Sequence, residues 1–265
     1  MLLSKISYTR LGYHLLLQAM GLFAIYHFFT TEQYALFIPA LFVMFLSQFT
    51  IYAHYHMVVT HKAWKFNYKW IDHIFSIVGI TQGMGSPIPW AIIHRLHHRH
   101  LDSEDDPHSP KHFGLFITQF HGWKTPDIVN ARVPKKDLLR DFSHLTVYNN
   151  KAVIGLIGLL TWITVFLLFG MSGVLAVALG LAISNNNVGI TNSWTHRLGD
   201  GVVDKPNLLI WALMLGSPEA YFHKEHHDAP YKYKHSESIF EWHARLVEFF
   251  SKIGVVTIHD NKVRS

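Results

Sequence analysis

Apolar runs near residues 15–29, 35–53 and 152–192 constrain this chain more than any other feature. A helix needs about 20 such residues to cross about 30 Å of hydrocarbon, and each run is close to that length or longer. The last is long enough for two crossings and is interrupted by Gly170-Met171-Ser172-Gly173. The pattern predicts an all-α integral membrane protein with four transmembrane helices, over 12–29, 35–54, 152–169 and 174–192. They pair into two hairpins with short outer turns, Thr30-Thr31-Glu32-Gln33 and Gly170 to Gly173. The first run does not read as a signal peptide, because no small-residue cleavage site follows and a second apolar run comes almost at once.

Charge sets the expected orientation. All 23 Lys and Arg lie outside these spans and outside both outer turns. The positive-inside rule then puts both termini, with segments 55–151 and 193–265, in the cytoplasm. Residues 1–265 read as a single membrane domain with a cytoplasmic helical cap. The basic residues flank spans and form no single stripe, so nucleic acid is not an expected partner. With no cysteine there is neither a disulfide nor a thiolate metal site. Residues 71–93 are also apolar, but Gly79, Gly83, Gly85, Pro87 and Pro89 break them. They read as an interfacial or re-entrant helix and a turn, because a fifth span would separate the chain's histidine groups.

The chain has 21 histidines. Those that group are His56-x-x-x-x-His61, His94-Arg95-Leu96-His97-His98 and His223-Lys224-Glu225-His226-His227, with His196 alone between the last two. Imidazole is a neutral nitrogen donor suited to iron, zinc, copper and nickel. Nine donors exceed what one ion can use, so the count implies a two-metal site. On a helix, offsets of three and four place His94, His97 and His98 at about 0°, −60° and +40°, so all three project from one face. His223, His226 and His227 repeat that geometry. His56 and His61, five apart, diverge by about 140° on an ideal helix. On geometry alone His54, seven before His61, rivals His56. A zinc site takes four ligands, or three and a water, which does not use this set. Copper is an option, and two irons with four or five ligands each fit best.

These residues resemble the membrane fatty acyl desaturase family, of the stearoyl-CoA and acyl-lipid Δ9 type, from about Gln48 to about Val255. The resemblance rests on His56-x-x-x-x-His61, Trp90-x-x-x-His94-Arg95-x-His97-His98 and Asp102-x-x-x-Asp106-Pro107-His108-x-Pro110. It continues through Asn192-Ser193-x-x-His196-x-x-Gly199 and Glu219-x-x-x-His223-x-x-His226-His227. It implies a di-iron centre ligated by His56, His61, His94, His97, His98, His196, His223, His226 and His227, with Asn192 reaching one iron through water. It favours His56 over His54. The first box lacks the family's usual Arg, and Glu219 is displaced from its usual place in the last.

The reaction so implied is O2-dependent desaturation of a saturated acyl chain, giving a cis double bond at Δ9. The acyl carrier is CoA, a lipid or a carrier protein. No cytochrome b5 segment is fused to the chain, which implies a separate electron carrier of ferredoxin or cytochrome b5 type with its reductase. Asp102, Asp105, Asp106 and Glu219 are candidates to orient ligand imidazoles, against the plainer reading of a solvated acidic loop. Trp90, Trp194 and Tyr221 are candidate walls of an acyl tunnel, and Ala40 and Met44 candidate limits on its depth. The alternative is a membrane di-iron hydroxylase acting on an alkane, fatty acid or sterol. A metal transporter fits less well, since the spans carry few ionisable groups. Compact length favours a bacterial inner membrane over the endoplasmic reticulum.

Overall fold

A computed structural model describes residues 6–124, 133–196, 202, 221–238 and 241–259. Helix α1 (Tyr8–Thr30) starts where the Ser7 hydroxyl accepts from the backbone N–H of Arg10, 3.4 Å away, a capping contact that satisfies one of the first free amides. A 3₁₀ turn over Tyr34–Leu36 leads into α2 (Phe37–Gln48), which continues unbroken as a π-helix from Phe49 to Thr60. Then come strand β1 (Trp64–Phe66), α3 (Lys69–Thr81), α4 (Pro87–His100), α5 (Pro110–Gln119) and α6 (Lys136–Asp141). Helix α7 covers Lys151–Ser193, followed by α8 (His223–Asp228), α9 (Trp242–Lys252) and strand β2 (Val256–Ile258).

The described residues are mostly helical, but they depart from the all-α expectation in a short ribbon. Strands β1 and β2 pair antiparallel, with Trp64 opposite Ile258. The ribbon ties the end of the chain to the segment that leaves α2. Three-residue strands this far apart in sequence leave no periodicity to read.

Two helical stretches, Tyr34–Thr60 and Lys151–Ser193, are long and apolar enough to cross a membrane. The expected outer turn at 170–173 is shorter than predicted. Helical structure runs up to and away from Gly170, which alone breaks it with φ 64° and ψ −164°. That backbone region is open to glycine and closed to side chains with a Cβ. Trp162, eight residues before the break, packs on the cluster of Leu17, Ala178 and Leu181, so the two halves of α7 fold back on each other.

The second half of α7 sits between α1 and α2, and small residues let it approach both. Ala24, Phe28 and Ala40 pack there against Leu175, Ala176 and Leu179. A Cβ on Gly180 would lie 2.5 Å from the Ala40 carbonyl oxygen, and one on Gly21 would lie 2.9 Å from the Ala182 Cβ. The first half of α7 instead exposes Leu156, Leu160, Ile163 and Leu167. Helix α3 is two-faced: Trp70, Ile74 and Ile77 are exposed while Asp72, Ser76 and Ile80 are buried.

A second core lies beyond these helices. Val58 and Val59 of the π segment pack there with Ile88 and Ile92 of α4, Leu138 of α6 and Val247 of α9. It fixes the π segment against α4, the two elements that carry most of the histidines discussed below.

The close approach at Gly180 predicts that Gly180→Ala lowers stability by about 1–3 kcal/mol through overpacking. Gly158→Ala, whose added Cβ meets nothing within 4 Å, is the control and is expected to be neutral or stabilising. Thermal unfolding in detergent separates them; equal melting temperatures would contradict this packing.

Candidate metal centre

Five histidines from three elements converge. His56 and His61 come from the end of the π segment, His94 and His98 from α4, and His226 from α8. One ring nitrogen of each lies within 4.8 Å of the others'. The π winding resolves the spacing problem posed by His56 and His61. Its hydrogen bonds run from i+5 to i, so residues five apart sit one above the other. The His61 N–H donates to the His56 carbonyl at 3.1 Å, and the two ring centroids are 4.8 Å apart. His54 is turned away, and its Nε2–H donates to Asp72 Oδ1 at 3.0 Å.

A second group adjoins the first. His97, His196 and His227 bring ring nitrogens within 4.8 Å of one another. His223 joins them, its Nε2 being 2.9 Å from that of His196 and 3.2 Å from that of His227. Each His-x-x-His-His segment is thus shared between the groups. His94 and His98 serve the first and His97 the second; His226 serves the first and His223 with His227 the second. Consecutive helical residues point about 100° apart, which sends neighbouring rings to different centres. The rings of His98 and His227 stack across the boundary at 4.3 Å.

The donor set fits metal ions. In the first group the Nε2 of His226 is 2.9 Å from that of His56 and 3.0 Å from that of His98, which is 3.0 Å from that of His94. Imidazole nitrogens at about 2.1 Å from one ion, at right angles, are about 3.0 Å apart. Mutual hydrogen bonding cannot satisfy the set, because a neutral imidazole offers one donor and one acceptor. Nε2 of His61 and of His97 are buried and make no hydrogen bond among the described residues. Burial, then repulsion from neighbouring imidazoles, holds His94, His97, His223 and His226 well below the ordinary histidine pKa, and His98 at about 3. The rings are therefore neutral at physiological pH, the form that binds metals.

Comparison with known proteins points to the same family as the motifs. No family model matches the chain. It is similar to the Delta-9 desaturase-like 2 protein of Arabidopsis thaliana, at 26% identity over 77% of this chain and 69% of that protein. It is also similar to the Acyl-CoA Delta(11) desaturase of Choristoneura rosaceana, at 27% identity over 92% of this chain and 78% of that one. With the Delta-9 acyl-lipid desaturase 2 of Arabidopsis thaliana it shares 26% identity over 77% of this chain and 67% of the relative. These relatives are named desaturases or desaturase-like, and the similarity over most of the chain supports the desaturase family. The chain is an oxidoreductase.

Carboxylates of this desaturase steady the second group. His97 Nδ1–H donates to Asp106 Oδ2 at 2.8 Å, which also accepts from the Asp102 backbone N–H at 2.9 Å, while Asp106 Oδ1 accepts from the His108 N–H at 3.1 Å. His196 Nδ1 lies 3.4 Å from Asp102 Oδ2, and Asp102 Oδ1 accepts from the Ser109 hydroxyl at 2.9 Å. Holding the proton on Nδ1 leaves the Nε2 lone pair facing inward. The acidic run thus divides: Asp102 and Asp106 are buried, and Asp105 is exposed as a solvated loop residue would be. Glu219 lies outside the described residues.

Two residues beyond the predicted set support the site. His108 stacks on His97 at 4.3 Å; its place in the Asp-Pro-His-x-Pro segment was the signal. Arg95 donates to the carbonyl of Thr60, next to His61, and makes a two-pronged contact with Asp137 at 2.9 Å on each prong. It locks α4 to the end of the π segment.

Of the predicted walls, Trp90 stacks on His94 at 5.0 Å and 15°. With Met84, Val188, Asn192 and His94 it lines a narrow cavity of about 30 Å³. Asn192 is half-buried there at the end of α7. Trp194 is 46% exposed and lines no part of that cavity. Tyr221 is half-buried against Phe222. Ala40 and Met44 are buried on α2.

Asp106→Asn removes the acceptor charge that fixes His97. Metal affinity is expected to fall about 10- to 100-fold, read as metal retained after graded chelation. Unchanged retention would show that Asp106 only shapes its loop.

Proposed function

We propose that the chain is an O2-dependent di-iron desaturase that introduces a cis double bond, at Δ9, into a saturated fatty acyl chain. The observation that carries this reading is the convergence of all nine motif histidines into groups of five and four, walled on one side by Trp90. His56, His61, His94, His98 and His226 would hold one iron. His97, His196, His223 and His227 would hold the other, and Asn192, which lines the cavity beside His94, would reach an iron through water. Iron bound there would supply the oxygen-dependent oxidising power needed to break unactivated C–H bonds.

The protein's own part is positioning. Adjacent CH2 groups of an acyl chain are chemically alike, so selectivity must come from where the chain is held. Met84, Trp90 and Val188 offer an apolar wall beside His94, and the flat indole stacked on that imidazole limits how the chain can approach. Asp102 and Asp106 keep His196 and His97 in the tautomer that turns Nε2 inward. The overall balance takes two hydrogens from the substrate and two electrons and two protons from outside, reducing O2 to two waters. An external carrier of ferredoxin or cytochrome b5 type would bring the electrons.

For topology, we read α1, α2 and the two halves of α7 as four spans in two hairpins, with the histidines in a cytoplasmic cap. The ring of exposed apolar side chains supports this, among them Leu22, Phe42, Leu160 and Phe166. So does the absence of Lys and Arg from the outer turns.

Replacing His97, His98, His226 or His227 singly by Ala tests the reading. Each variant should bind less than the full iron complement and lose unsaturated product by a factor of about 100 or more. Mass-spectrometric mapping of the product locates the double bond. Full activity in all four variants would end the proposal, and new hydroxyls in place of double bonds would redirect it to a hydroxylase.

A further inference from the structure

A large cavity lies outside the metal centre. About 830 Å³ of space separates α1, the turn and first part of α4, and the first half of α7. Its two ends differ in chemistry. Thr9, Arg10, Ser86, Asn149 and Lys151 gather at one end, where α1 and α7 begin. Ile154, Leu159 and Trp162 line the length of α7 that runs away from it.

On α7 the lining positions 151, 154, 155, 158, 159 and 162 follow the three-and-four spacing of one helix face. Gly155 and Gly158 lie on that face, and a Cβ on either would meet nothing within 4 Å. The absent side chains keep the groove wide. The opposite face of the same helix exposes Leu156, Leu160 and Ile163. In the four-span topology proposed above, on which this inference rests, the groove therefore lies between spans and its long side meets hydrocarbon.

The groove also adjoins the metal centre. Arg10, Gly83, Met84, Trp90 and Ile93 line both it and the narrow cavity that reaches His94 and Asn192. Met84 is among the shared residues, and an unbranched methionine adapts readily to what lies beside it.

We infer that this groove admits an intact bilayer phospholipid, and that the acyl donor of this enzyme is a membrane lipid rather than a soluble thioester. The polar end supplies two cations, Arg10 and Lys151, beside hydroxyl and amide groups. That complements the single negative charge of a phosphodiester. The apolar length accepts a tail that never leaves the membrane. A soluble thioester would have to bring its chain out of water and in from the cytoplasmic end. Relatives named for a carrier fall on both sides of this point, among them an acyl-CoA and an acyl-lipid desaturase.

Two measurements on the full chain in lipid nanodiscs decide it. In the first, phosphatidylglycerol carrying a photoreactive diazirine on its acyl chain is the probe. Crosslinks should favour Ile93, Ile154 and Trp162 over Leu156, Leu160 and Ile163, and Gly158→Phe should cut the groove crosslinks about tenfold. Even labelling of both faces, or labelling indifferent to Gly158→Phe, would overturn the groove. This measurement needs neither metal nor turnover, so it is independent of the desaturase reading. In the second, ¹³C-stearoyl phosphatidylglycerol and ¹³C-stearoyl-CoA are offered separately to iron-loaded protein with an electron donor. Double bonds in the labelled phospholipid and none from stearoyl-CoA support the inference, and equal yields from both overturn the exclusion of the thioester. Double bonds from stearoyl-CoA alone overturn it. None from either donor overturns the desaturase reading and the donor assignment with it, while the crosslinks still judge the groove.

Discussion

Packed imidazoles whose ring nitrogens approach to 2.9–3.2 Å are the constraint from which the rest of this structure follows. Each ring offers one donor and one acceptor, and several inward-facing nitrogens here have neighbours on two sides. Hydrogen bonding among them leaves lone pairs opposed in a buried space, which is costly. Cations resolve the conflict, since every lone pair then has a partner. The remainder of the fold can be read as the means of holding that arrangement. The π segment brings His56 above His61, Arg95 locks α4 against it, and the second core sets both beside α8. Asp102 and Asp106 fix the outer edge of two of the rings.

The membrane helices serve the same end at a distance. Small residues at Gly21, Ala176, Gly180 and Ala182 let the second half of α7 pack closely on α1 and α2. Its last turn carries Asn192 and leads directly to His196. Packing within the bundle thus determines where a histidine of the second group stands. An error there would reach the metal centre through a rigid helix rather than through a flexible loop.

Much of this was legible in the sequence because its signals are local. The apolar runs gave the long helices, and the His-x-x-His-His spacing gave faces carrying three rings. The order of motifs identified His56 where ideal helix geometry left His54 as its rival. The physical cause of that ambiguity is now plain. A twelve-residue π stretch changes which residues share a face, and nothing in the hydrophobic period announces it. Other features depended on partners remote in sequence. Examples are the His54–Asp72 pair, the β1–β2 ribbon and the allotment of His97 and His98 to different groups. At Gly170 the sequence marks a breaker within a four-residue turn without saying how sharply it acts.

The central claim is that these histidines hold two metal ions per chain with nitrogen ligands. Metal analysis joined to X-ray absorption at the iron edge, on protein produced with iron, tests it most directly. The account predicts two irons per chain, each in a shell dominated by imidazole nitrogen and free of sulfur. A single iron per chain, or a shell without imidazole scattering, would contradict it.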